Sequence, residues 1–325
     1  MKVSIFLLLC LAAAMSLGSL IPQGQSEMFY RAHYGRVLGS FINLFSLDHL
    51  YSAWWFVGIS IFFAFNILVC AANRIRISLM NYRQFGSLLL HLSILVIIAG
   101  AYVSGLTGRS EYVEIGVGDA VDLSSKGFPQ RVVTVKNFKV EYYDNLEPKQ
   151  YISDLELTTS KGEKIRQEIK VNFPLKADGL KIYQVNYGWM IRGQVIAEKK
   201  LISFDLFSGG ELTIDPSTNT RLKILFVPDF DPHTGLRSKS PLPSNPKAVC
   251  ALARNNLLID VQALSQGETK EVAGYPVTFS DYRYYTGLQI KTDKGLPFVL
   301  GGFILLTLGI AARYLLPKTS SERGD

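Results

Sequence analysis

The chain has 325 residues, 48% of them hydrophobic, and a net charge of +7. That charge does not mark a nucleic-acid binder: no helix-turn-helix or RNA-binding signature accompanies it, and in a membrane protein part of a basic excess records topology. The three cysteines cannot build a disulfide framework, and the absence of CxxCH and CxxC excludes a c-type cytochrome and a thioredoxin-like oxidoreductase.

Four apolar runs are long enough to cross a bilayer: 3–21, 53–72, 85–106 and 296–316. The predicted architecture is a membrane protein with three transmembrane helices in 1–106. A large β-rich extracytoplasmic domain follows over 107–293, and a fourth transmembrane helix with a short cytosolic tail occupies 294–325. The first run has one lysine before it and small residues (Ala14, Ser16, Gly18, Ser19) toward its end, as a signal peptide does. It continues to Ile21 without a clear cleavage site, so it reads as an uncleaved first helix. LLLC at 7–10 resembles a lipoprotein box, but the apolar stretch before Cys10 is too short for one.

Residues 22–52 are aromatic and semi-polar, suited to the membrane surface, and Tyr51, Trp54 and Trp55 mark an interfacial belt at the entry to the second helix. Arg74, Arg76 and Arg83 crowd the short connection to the third helix, and Arg313, Lys318 and Arg323 follow the fourth. By the positive-inside rule both regions are cytosolic, which puts both termini inside and the large domain outside.

The third run, FGSLLLHLSILVIIAGAYVSGL, has 22 residues without Lys, Arg, Asp or Glu and a single histidine, His91. At ~1.5 Å per residue His91 sits roughly 9 Å in from Phe85. An intramembrane histidine is by default a functional residue. It is either a neutral imidazole hydrogen-bonded to a neighbouring helix, or an axial ligand of haem iron. A bis-histidine haem needs two buried histidines, yet of His33, His49, His91 and His233 only His91 lies inside a membrane run. If His91 ligates haem, the second ligand comes from another protein. Gly86, Ser93 and Gly100 recur every seven residues, a small stripe for close helix packing. His91 lies about 160–200° around the helix from Ser93. Asn66 reads as interhelical glue, Cys70 as a packing residue, Cys250 as an inert thiol, and His33 and His233 as surface residues.

In the large domain, RVVTVKNFKVEYY (131–143) alternates like a strand, and 151–171 reads as two strands around a Lys161-Gly162-Glu163 turn. Residues 228–249 are too polar and proline-rich for a strand and read as a long exposed loop. A sandwich of two antiparallel sheets is the expected fold. Tyr282, Tyr284 and Tyr285 are expected to form an interface cluster near the outer end of the fourth helix. GxSxG, HExxH and any His–Cys cluster in the large domain are absent, so no self-contained active site is expected.

Several segments, in order, resemble the ResB (CcsB) family of System II cytochrome c biogenesis proteins. They are SLIPQ (19–23), FYRAHYG (29–35), LDHLYSAWWFVGISIFFAFNILVC (47–70), HLSILVIIAGAYVSGLTG (91–108), EYVEIGVGD (111–119), VNFPLKADGLKIYQVNYG (171–188) and YTGLQIKTDKG (285–295). The family's usual aspartate-proline-glycine reads Asp293-Lys294-Gly295 here. The resemblance implies a bacterial inner (cytoplasmic) membrane protein that works with a multi-helix partner of the ResC (CcsA) type. That complex exports reduced haem b, held transiently between the subunits, and attaches it to the CxxCH of apocytochrome c as a cytochrome c synthase (haem lyase). Thiol-reducing membrane proteins are further expected partners. His91 matches the position implicated as one axial ligand of the haem iron, the partner supplying the other. The external domain is then expected to guide apocytochrome or to brace the partner's haem site. The alternative from a different class is a membrane-anchored scaffold that recruits a client and binds no haem. A cytochrome b-like carrier is disfavoured by the single intramembrane histidine.

Overall fold

In a computed structural model, residues 2–78, 82–198, 200–235 and 237–315 are described. The chain divides into two compact units, Met1–Gly108 with Asp293–Asp325, and Arg109–Thr292. Lys318 and Arg323, and the last residue of the fourth apolar run, lie outside the described residues, as do the side chains of Arg74, Arg76 and Arg83.

The first unit is helical. Its helices are α1 (Lys2–Leu20), α2 (Glu27–Leu44), α3 (Trp54–Ser78), α4 (Tyr82–Thr107) and α5 (Leu296–Ile310), the last continuing in a π turn over Ala311–Leu315. Among the described residues four helical stretches are long and apolar enough to span a bilayer: Lys2–Leu20, Trp54–Asn73, Gln84–Thr107 and Leu296–Leu315. α1 and α3 meet through Leu7, Leu11, Phe63 and Ile67. They are also joined by a hydrogen bond in which Ser4 Oγ donates to Asn66 Oδ1 at 2.5 Å. Asn66 is therefore interhelical glue, since an amide in an apolar medium must find a partner. The segment 22–52 is more structured than its composition suggests: most of it is α2 and a short 3-10 turn at Leu47–Ser52.

The small stripe of α4 faces α5. A Cβ added at Gly86 would lie 2.7 Å from the Arg313 backbone nitrogen, and one at Gly100 would lie 2.8 Å from that of Val299. Ser93 between them is fully buried. α5 answers with its own glycines: a Cβ at Gly302 would press on the Ser93 carbonyl at 3.1 Å, and one at Gly309 on the Leu90 nitrogen at 3.0 Å. Backbone meets backbone, the arrangement that gives helices in lipid their dispersion contacts without a hydrophobic driving force.

The second unit is built from antiparallel strands in three sheets. The central sheet holds β1 (Arg109–Gly116), β6 (Leu175–Ala177), β7 (Leu180–Ala197), β8 (Lys200–Phe207), β13 (Thr269–Val272) and β14 (Tyr275–Thr292). β2 (Ala120–Asp122), β3 (Val132–Tyr142), β4 (Pro148–Thr158) and β5 (Lys164–Lys170) form a second sheet. The third contains β9 (Gly210–Asp215), β10 (Thr220–Val227), β11 (Lys247–Arg254) and β12 (Leu257–Ser265). β3, and the β4–β5 hairpin turning at Gly162 (φ 81°), match the sequence reading. So does the irregular connection between Val227 and Lys247.

The expected two-sheet sandwich is corrected to three sheets around two cores. β7 and β14 are 18 residues each and pair along nearly their whole length. At one end Ile182, Leu288 and Ile290 pack under the β2–β5 sheet; at the other Ile191, Val195, Val277 and Phe279 pack under the β9–β12 sheet. The inward residues change parity along each strand, from 184 to 187 in β7 and from 279 to 282 in β14. The register shifts in the same places, beside Val185 and Ser280. One extra residue at each bulge moves the following side chains to the other face of the pleat, so one face stays turned toward the two cores from end to end.

Aromatic rings fill the junction of the two cores. Tyr284 stacks on Trp189 at 3.8 Å and touches Phe138 at 5.2 Å, while Tyr282 packs on Trp189 and Phe226. Tyr285 points the other way, onto Phe207 at 4.9 Å. The three tyrosines belong to β14, and the expectation that they form an interface cluster at the fourth helix is corrected: Tyr282 and Tyr284 are interior packing. Desolvation pushes the Tyr284 phenol well above the ordinary tyrosine range, so it stays neutral at physiological pH. A hydrogen-bonded triad of Ser153, Gln184 and Thr286 ties β4 to the central sheet. Arg283 reaches Asp119 and Asp205 at 2.7 Å each, and those charges hold its guanidinium pKa above the usual value.

Candidate functional site

His91 lies on α4, seven residues in from Gln84, where the membrane-spanning part of the helix starts. Its neighbours in sequence are leucines and isoleucines, so the local chain forms a helix for lack of any alternative that satisfies its backbone in lipid. The ring is half-buried. Nδ1 lies 2.7 Å from the backbone carbonyl of Ser87, one turn earlier on the same helix. A carbonyl oxygen can only accept, so Nδ1 carries the proton. In the neutral ring Nε2 then keeps its lone pair, the tautomer a metal ligand needs. Among the described residues no hydrogen bond is made by Nε2. The imidazole is satisfied by its own helix and not by a neighbouring one.

Leu95, Ile98 and Tyr102 follow His91 at i+4, i+7 and i+11, on the same face of α4. With Ile61, Phe65 and Leu68 of α3 they line a shallow groove of about 480 Å³. The Tyr102 hydroxyl donates to the Val57 carbonyl at 3.3 Å, which marks one point of register between the antiparallel pair. Stepping 11 residues back along α4 and 11 forward along α3 brings His91 level with Leu68, at the end of that groove. The nitrogen donor and the apolar trough therefore share one side of α4, about half a turn away from the glycine stripe that holds α5. His91 does not itself line the groove, but it stands on the same face of α4, so a flat apolar group laid in the trough would have one imidazole at its edge and no charged side chain among the lining residues. Sequence reading found the donor but not the groove; the one-face spacing of 61, 65, 68 (i, i+4, i+7) and of 95, 98, 102 (i, i+3, i+7) was the available signal.

The other singled-out residues do not join this site. His33 and His233 are exposed. His49 is exposed and pairs with Asp48 at 2.7 Å. Among the described residues no three of His, Cys, Asp and Glu gather to hold a metal ion. All three cysteines are free. Cys250 is 1% exposed in the core under β10 and β11, and burial pushes its thiol up to about 12. A thiol so protonated is a poor nucleophile. We expect Cys250 of the folded chain, with Cys10 and Cys70 replaced by alanine, to react with iodoacetamide at pH 8 at least ~100-fold more slowly than a free thiol. Denaturant should restore the ordinary rate. Native labelling at the free-thiol rate would show that the core opens and that a mixed disulfide is available to it.

Four apolar helices and a large β-rich region together define a multi-pass membrane protein with a folded polar domain. Within that class the chain belongs to the ResB-like family, which it matches over residues 1–83 and 80–319. It is 25% identical over 408 aligned positions to the Cytochrome c biogenesis protein CcsB of Gloeobacter violaceus, covering 97% of this chain and 81% of the relative. The CcsB of Microcystis aeruginosa is 24% identical over 397 positions, covering 97% of this chain and 85% of its own. Among solved structures, Cytochrome c Heme Lyase CcmF aligns with 95% of this chain and 34% of its own at a TM-score of 0.33 and 13% identity. That likeness is too slight to bear on the reading.

Proposed function

We propose that the chain is one subunit of a membrane complex that exports haem b and attaches it to apocytochrome c. The observation that carries the proposal is His91 itself: a lone intramembrane imidazole whose Nδ1–H is committed to the Ser87 carbonyl while Nε2 is left as a donor. Membership of the ResB-like family and the relatives' role in cytochrome c biogenesis support it. Because His91 is the one histidine in the apolar runs, a six-coordinate iron needs its second ligand from a partner, a multi-helix protein of the ResC (CcsA) type. Bound haem supplies the vinyl groups to which the two thiols of a client CxxCH add, each S–H crossing one double bond to give a thioether. In this chain His91 would hold the iron, with the α3–α4 groove on the same face of α4. The complex resides in the bacterial cytoplasmic membrane, with both termini cytosolic and the β-rich unit on the outer side, where it supports delivery to apocytochrome.

The test is co-expression with the partner in cells that lack their own System II pair, with a reporter apocytochrome. We expect covalent haem in the reporter only when both subunits are present, and haem in the purified complex by its reduced and oxidised spectra. Reporter maturation by a complex that never carries haem would overturn the proposal in favour of the scaffold.

A further inference from the structure

The helix α2 is folded back at Gly35, whose φ of 81° breaks it into halves 27–34 and 36–44. The two halves pack so tightly that a Cβ on Gly39 would lie 2.8 Å from the Arg31 backbone. The second half is amphipathic in the wrong sense for water. Its inner face carries Gly39, Ile42 and Asn43, with Ile42 6% exposed. Its outer face carries Val37 (73% exposed), Leu38 (61%), Phe41, Leu44 (75%) and Phe45. At about 100° per residue those five side chains fall within an arc of about 120°. A helix that turns its apolar stripe outward has an apolar medium outside it.

We propose that residues 36–45 form an in-plane helix seated in the lipid–water interface, with this face among the acyl chains. The occupant is lipid because the C-terminal end of the segment is tied to two membrane-spanning helices, α1 and α3. On the α1 side, the Gln23 amide donates to the Gly18 and Leu47 carbonyls at 3.1 and 2.9 Å and accepts from the Leu50 nitrogen at 3.0 Å. Leu50 is fully buried, its side chain 3.1 Å from where a Cβ on Gly18 would stand. On the α3 side, Trp55 Nε1 donates to the Phe45 carbonyl at 2.8 Å. The end of the helix is thus pinned to the first turn of a span, at the level of the Trp54–Trp55 belt where amphipathic aromatic rings partition. Phe41 and Phe45 stack at 5.6 Å on the same exposed side. These short tethers to α1 and α3 keep the end of the stripe at the depth of the headgroup–acyl boundary.

The full chain, with Cys10 and Cys70 replaced by alanine, is reconstituted in nanodiscs of phosphatidylcholine and phosphatidylglycerol. A nitroxide is attached at Val37→Cys, Leu38→Cys or Leu44→Cys, one at a time, with Arg36→Cys as the reference on the polar side. Collisional relaxation by oxygen is expected to exceed that by a water-soluble nickel chelate at 37, 38 and 44, reporting a depth of roughly 5–10 Å, and the order should reverse at 36. Relaxation dominated by the nickel chelate at 38 and 44 would mean a water-exposed helix. Exclusion of both agents would mean that protein, a partner subunit or a second copy, covers the face. Either result overturns the proposal.

Discussion

Replacing His91 by alanine in the purified complex is expected to remove the six-coordinate haem spectrum and to lower bound haem at least ~10-fold, a loss of about 1.4 kcal/mol or more. Two features of the site make the effect large. The donor is the one imidazole in the apolar runs, so no residue of this chain can replace it. Its tautomer is already chosen, since the Nδ1–H bond to the Ser87 carbonyl both leaves Nε2 free and strengthens it as a donor. Free imidazole fits the space the side chain vacates and should restore six-coordination in the mutant. Ser87→Ala keeps the backbone carbonyl and should leave the spectrum unchanged. If wild type and His91→Ala give identical spectra, His91 is a packing residue and the scaffold reading takes precedence.

The second large effect is at the α4–α5 seam. Gly100→Leu is expected to abolish accumulation of the chain in the membrane, measured by immunoblot and by size-exclusion in mild detergent, and Gly86→Leu to do nearly the same. The added Cβ alone would stand 2.8 Å from the Val299 nitrogen and 2.7 Å from that of Arg313, respectively. Those neighbours are backbone, and no rotamer change can relieve them. Overpacking a core costs about 1–3 kcal/mol when side chains can adjust; here the helices must separate and forfeit contacts along their whole length. Gly105 and Gly301 are the controls, because a Cβ there meets nothing within 4 Å. Gly105→Ala and Gly301→Ala should accumulate normally. Normal accumulation of Gly100→Leu would show that α5 does not lie where the structure has it.

The same seam shows which features a one-dimensional reading can reach. Hydropathy over about twenty residues depends on no contact, so the spans at 53–72 and 85–106 were legible and differ from α3 and α4 mainly at their ends. The seven-residue spacing of Gly86, Ser93 and Gly100 was legible for the same reason, because a helix maps spacing directly onto a face. His91 stood out because a titratable ring among leucines is anomalous by composition alone.

Other features needed the tertiary structure. Strand alternation placed β3, β4 and β5, but it could not show that β7 and β14 serve two cores. Their inward parity changes at bulges beside Val185 and Ser280, and a bulge is defined by the partner strand it opposes. Tyr282 and Tyr284 were misplaced for that reason: their proximity to α5 in sequence says nothing about Trp189 and Phe226, more than fifty residues earlier, on which they pack. The groove beside His91 was hidden because it has two walls, and their register, marked where Tyr102 reaches the Val57 carbonyl, joins residues forty-five apart in the chain. The exposed stripe of α2 emerged only once Gly35 was seen to fold the helix back on itself. By itself, then, the amino-acid order determined which segments enter the membrane and which histidine goes with them, since both follow from local composition. Which faces meet, where the cores close and what lies beside that histidine were decided by contacts between residues far apart in the chain.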